Sequence, residues 1–172
     1  MKGDWVVKYL KILKYAIAII IINTIQVSLC NYLAIGNVKP NLVVPFVVSV
    51  AIINGPVTGG IVGLLCGIFM DALSSGTTII NSLTYMYLAV VSGILNINYF
   101  RKNAGVVMLF TFIGILICEL CVHLIHFAIW GSSNIFISLI NPILFIALYS
   151  IIYTIPIYYI THKLFRQKIK EV

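Results

Sequence analysis

The feature that most constrains this chain is where its charges are absent. Four long stretches carry no Asp, Glu, Lys or Arg: Tyr15–Val38, Pro40–Met70, Ala72–Phe100 and Leu120–His162. A water-soluble domain must coat its surface with polar groups, and about a quarter of its residues are charged. Here 9% are charged and 62% are hydrophobic. That composition excludes a soluble enzyme or nucleic-acid binder. Richness in Ile, Leu, Val and aromatics also excludes a disordered chain. Lipid is the solvent that fits. A backbone in lipid must close its own hydrogen bonds, so it crosses as helices or as a closed barrel. Barrel strands alternate apolar with polar residues, and runs such as Ile17–Ile22 do not. The fold class is therefore an all-α polytopic membrane protein.

Breakers divide the stretches into six predicted transmembrane helices within one membrane domain, 1–172. The first is about Tyr15–Leu33, followed by a turn at Gly36, Asn37 and Pro40. The second is about Asn41–Ile53, with Pro45 expected to kink it. The third is about Val57–Leu73, after Asn54-Gly55-Pro56 and before Ser74-Ser75-Gly76. The fourth is about Ile79–Asn96, the fifth about Ala104–Phe127 and the sixth about Ile137–Ile160. The second and third together also read as one re-entrant hairpin.

Charge orients the set. With six spans both termini share a side with Lys2, Lys8, Lys11, Lys14, Arg101, Lys102, Lys163, Arg166, Lys168 and Lys170, while Lys39 alone lies opposite. Cytoplasmic loops carry the excess of Lys and Arg, so both termini are expected to be cytoplasmic. Trp5 and Trp130 fall near opposite interfaces, where aromatic belts sit. A signal peptide is not indicated, because no small-x-small cleavage site follows the first apolar run. The basic N-terminal segment reads as a topology signal and lipid-headgroup contact rather than a nucleic-acid site.

From the turn before the third helix and along it, Gly55, Gly59, Gly63 and Gly67 recur every four residues, and Asp71 takes the next step. Residues four apart stay near one helix face. Small residues at that spacing let helix backbones meet, and in lipid such close packing replaces the hydrophobic drive. The stripe is read as a seam for helix packing and partner binding. A carboxylate inside a membrane is costly and faces protein or water. Three roles stand open for Asp71: capping the following turn or bonding nearby Ser and Thr hydroxyls, contacting a partner subunit, or binding a proton or ion.

The run from Gly59 to Gly76, GGIVGLLCGIFMDALSSG, resembles the rod shape-determining protein MreD family, whose members carry a Gly-rich helix ending in a Leu/Phe-rich segment, an Asp and a Ser/Gly turn. Chain length, the basic start before an Ile-rich first helix and the short basic C-terminus also fit. A second glycine common after the turn in that family is replaced here, where Ile79 and Ile80 stand. The resemblance implies a non-enzymatic scaffold in the bacterial cell membrane. It would act in the elongation machinery with an MreC-type bitopic protein, MreB, RodA and a class B penicillin-binding protein. It also implies a compact bundle similar to the substrate-binding subunit of energy-coupling-factor vitamin transporters. No cofactor is implied.

Other residues offer less. Glu119, His123 and His126 share a face of the fifth helix. Glu119 and His123 read as a buried polar pair, with a partner or headgroup site and a metal or proton relay as alternatives; one helix alone is a poor metal site. Cys30, Cys66, Cys118 and Cys121 lie within predicted helices and read as packing residues. Asn23 and Gln26 share a face of the first helix and predict interhelical hydrogen bonds. No phosphate-cradling loop or hydrolase motif appears. A vitamin-type transporter subunit is the alternative function, weakened by the lack of the Ala-x-x-x-Ala docking spacing in the first helix.

Overall fold

The computed structural model describes residues 2–28, 32, 39–73, 80–99, 104–130 and 135–165. These residues form six helices: α1 (Lys2–Ser28), α2 (Val43–Asn54), α3 (Pro56–Leu73), α4 (Ile80–Tyr99), α5 (Ala104–Trp130) and α6 (Ile135–Phe165). The fold is all-helical, as the uncharged stretches require. Five helices are long and apolar enough to cross a membrane, which makes this a multi-pass membrane protein. The remaining helix, α2, has 12 residues. At 1.5 Å per residue it is roughly 18 Å long, short of the ~30 Å hydrocarbon core.

Several boundaries differ from expectation for local reasons. α1 begins at Lys2, not Tyr15, because the basic segment contains no breaker and lysine is a good helix former. Its expected end at Leu33 and the turn at Gly36–Asn37 lie outside the described residues, as does Ser74-Ser75-Gly76. Pro45 does not kink α2: it is the third residue of that helix, where no intrahelical donor is required. α6 continues past Pro156 to Phe165. Membrane helices tolerate such a proline because neighbours and local adjustment satisfy the freed carbonyl.

α2 is the centre of the bundle. Val43 to Ile52 are all buried, most of them completely. It packs against every other helix, and its periphery runs in the order α1, α3, α4, α5, α6. An all-round apolar helix has this position open to it. α2 and α3 fold back on each other at Gly55, whose φ of 96° favours glycine. The Gly55 N–H donates to the Ala51 carbonyl at 2.9 Å, closing α2. Pro56 then opens α3 at a position that needs no donor.

The same end of the bundle gathers the two outer helices. The ring of Tyr15 on α1 stacks on Phe165 of α6, with centroids 4.3 Å apart and planes 3° apart. Asn54 Nδ2 donates to the Tyr15 hydroxyl at 2.6 Å and to the Phe165 carbonyl at 3.2 Å. The basic part of α1 and the C-terminal part of α6 thus meet beside the Gly55 turn.

Candidate functional site

Glycines on α3 set its distance from two neighbours. A Cβ built at Gly63 would lie 2.6 Å from the Tyr85 carbonyl oxygen on α4 and 3.0 Å from a Val47 methyl on α2. At Gly67 it would collide with the Ser82 backbone, and at Gly59 with Ala51. At Gly60 it would meet a Val90 methyl at 2.8 Å. Opposing residue numbers rise on α4 as they fall on α3, so the two helices are antiparallel. The seam is closed from the far side as well: a Cβ at Gly93 would lie 2.7 Å from the Pro56 Cα. Sequence spacing does not single out Gly93, although Ser92-Gly93 is a small pair in an otherwise bulky helix.

The stripe therefore divides. Gly59, Gly63 and Gly67 pack against the chain's own α2 and α4, and that surface is fully used inside the fold. Gly55 does not belong to the seam: nothing lies within 4 Å of a Cβ built there, and its role is the turn. The other face of α3, with Val57, Ile61, Leu65 and Ile68 exposed, is not covered by the described helices.

Asp71 stands where α3 ends and α4 begins. Its Oδ1 accepts from the Asn81 N–H at 3.2 Å and from Asn81 Nδ2 at 2.9 Å. Its Oδ2 accepts from the Ser82 N–H at 3.0 Å and from the Ser82 hydroxyl. The first backbone N–H groups of a helix have no partner within it, and the helix dipole there favours a negative charge. Asp71 is thus a cap, supplied from the preceding helix, on the first turn of α4. This is the capping role, directed at the helix beyond the turn rather than at the turn itself.

The ends of the central helix are held by side chains. Gln26 of α1 donates to the Pro40 carbonyl at 3.0 Å and accepts from the Leu42 N–H at 2.7 Å. Asn41 Oδ1 accepts from the Val44 N–H at 3.1 Å, and the Asn41 N–H donates to the Ser150 hydroxyl of α6 at 2.8 Å. Gln26 ties α1 to the segment that leads into α2, and Asn23 faces the Cys66 thiol of α3 across the two helices. Asn23 donates to the Ile19 carbonyl of its own helix at 2.8 Å, and its buried side-chain oxygen has no hydrogen-bond partner.

Glu119 lies part-buried on α5 beside the buried Cys118. The side chains of His123 and His126 lie outside the described residues, as do those of Trp5 and Trp130. Among the described residues no three of His, Cys, Asp and Glu come together as metal ligands. Cys66 and Cys118 are buried free thiols. No family model, curated protein or solved structure matches the chain.

Proposed function

We propose that the chain is a membrane scaffold of bacterial cell elongation, of the MreD type. It would sit in the cell membrane with both termini cytoplasmic, as the distribution of Lys and Arg favours. There it docks an MreC-type bitopic protein and, through it, MreB, RodA and a class B penicillin-binding protein. The observation that carries the reading is the construction of the Gly59–Asp71 run. The segment with the family resemblance is closely packed: one face meets α2 and α4 backbone to backbone, and its carboxylate caps α4. Closely packed helices with apolar outer faces suit a subunit that holds other membrane helices in place.

The test is depletion in a rod-shaped host that carries this gene. Cells are expected to become round while solute uptake is unchanged. Rods of normal shape after depletion would overturn the proposal. The unpartnered, buried Asn23 oxygen and Thr111 hydroxyl favour the second reading, a small-molecule transporter subunit, because polar atoms inside a bundle suit a ligand. A vitamin bound to the purified protein, with saturable uptake, would select it.

A further inference from the structure

Asn54 and Gly55 form the one Asn-Gly pair in the sequence; every other asparagine precedes a residue with a side chain. Glycine lets the backbone take turns that other residues resist. Its nitrogen can therefore swing against the amide carbon of a preceding asparagine. In the fold both partners are held apart from that reaction. The Gly55 N–H donates to the Ala51 carbonyl at 2.9 Å, the bond that closes α2. The Asn54 amide nitrogen donates to the Tyr15 hydroxyl at 2.6 Å and to the Phe165 carbonyl at 3.2 Å. Its two hydrogens are thus committed to α1 and α6. The amide oxygen is buried and has no hydrogen-bond partner among the described residues. The side chain is held by its nitrogen alone, so nothing described retains it once Tyr15 and Phe165 move away. Those two acceptors belong to the outer helices, and α1 is the least buried of the spans.

We propose that Asn54-Gly55 is a self-modification site gated by this clasp: closed while Tyr15 and Phe165 hold the amide, and open when the corner comes apart. In the open state the Gly55 nitrogen, released from Ala51, attacks Asn54 Cγ. A bond forms between that nitrogen and Cγ, the Cγ–Nδ2 bond breaks, and the Gly55 proton leaves with Nδ2 as ammonia. Water then opens the cyclic imide at either carbonyl, giving aspartate, or isoaspartate with the main chain running through the former side chain. No group is oxidised or reduced. The product cannot rebuild the clasp. A carboxylate has no donor for the Phe165 carbonyl. Isoaspartate also adds a carbon to the α2–α3 turn, which sets Gly59 against Ala51. A corner that has opened and reacted is thereby marked, and it does not close as before.

The experiment compares the full chain folded in mild detergent with the same chain unfolded in urea and sodium dodecyl sulfate. Both are held in mildly alkaline buffer, and peptide mapping by mass spectrometry follows each asparagine. The unfolded chain is expected to convert Asn54 at least about tenfold faster than the folded chain, where reaction waits on local opening. Asn23 and Asn81, which precede Thr24 and Ser82, should lag behind Asn54 in the unfolded chain. Tyr15→Phe keeps the ring and its stack but removes the acceptor hydroxyl. It should raise the folded rate about threefold, the effect of one modest hydrogen bond, and leave the unfolded rate unchanged. Asn54→Asp, the direct product, should unfold at a lower midpoint than wild type. Equal rates in folded and unfolded wild type would overturn the proposal, as would an unfolded chain that leaves Asn54 intact. So would a wild-type rate in a Tyr15→Phe protein that elutes as a single gel-filtration peak, or an unchanged midpoint in Asn54→Asp.

Discussion

α1 and α3 are both apolar helices of span length, with the same mean hydropathy of 1.7, yet 11% of the α1 span is buried against 33% of the α3 span. Hydrophobicity does not separate them. The distribution of small residues does. α3 places glycine where α2 and α4 approach, so backbones touch and the attraction is summed over many atoms. α1 lines its outward face with the bulk of Leu10, Leu13, Ile17, Ile20 and Ile21, which keep neighbours away and meet lipid. In a membrane, apolar surface is neutral toward its solvent, so fit and polar contacts decide which faces become interior. α1 is held instead at a few polar points, Gln26 at one end of α2 and Tyr15 at the other.

The sharpest way to break this contrast is Gly63→Leu. Its Cβ would fall against a backbone carbonyl, which cannot rotate away, and against Val47 on the other side. Both helices would have to move. Overpacking of this kind costs ~3 kcal/mol or more. The expected result is loss of the folded monodisperse species in detergent, read by gel filtration and thermal unfolding. A Gly63→Leu protein as stable as wild type would show that α3 and α4 are not seated on this seam.

Asp71→Asn should come next. The substitution keeps the shape but turns one acceptor oxygen into an amide donor facing donors, and it removes the charge at the start of α4. A lost cap with a buried donor left unpaired costs about 1–2 kcal/mol. The unfolding midpoint should fall, by less than with Gly63→Leu. An unchanged midpoint would remove the cap and return Asp71 to a partner- or ion-binding role.

Much of this is legible in the residues, and the parts that are not share a cause. The uncharged stretches define the helices, and the four-residue glycine spacing marks a close-packed face, because both follow from one helix at a time. The identity of the facing helices does not. Nothing in Gly63 names Tyr85 and Val47 as its neighbours, since that depends on the antiparallel return through Gly55. Asp71 is visible as a costly carboxylate, while its partners Asn81 and Ser82 lie beyond a turn whose path the sequence leaves open. The depth of α2 is hidden for the opposite reason. Its short length suggests a weak span, whereas burial of Val43 to Ile52 makes it the most enclosed helix. The expected Glu119–His123 pair involves a side chain outside the described residues.

The smallest effect belongs on the lipid face. Ile20 is 51% exposed on α1, on the side that no described helix covers. In water, deleting a buried isoleucine side chain costs roughly 2–5 kcal/mol, through lost transfer energy and a cavity. Here neither applies: acyl chains replace the methyl groups, and fluid lipid leaves no fixed void. Ile20→Ala should therefore shift stability within about 0.5 kcal/mol, as exposed substitutions do. The same change at Ile52, completely enclosed in α2, should cost several times more. Unfolding of both variants in one detergent would read the difference directly. If Ile20→Ala proved as destabilising as Ile52→Ala, α1 would be covered by protein rather than by lipid, and the apparent looseness of this helix would mark a missing neighbour.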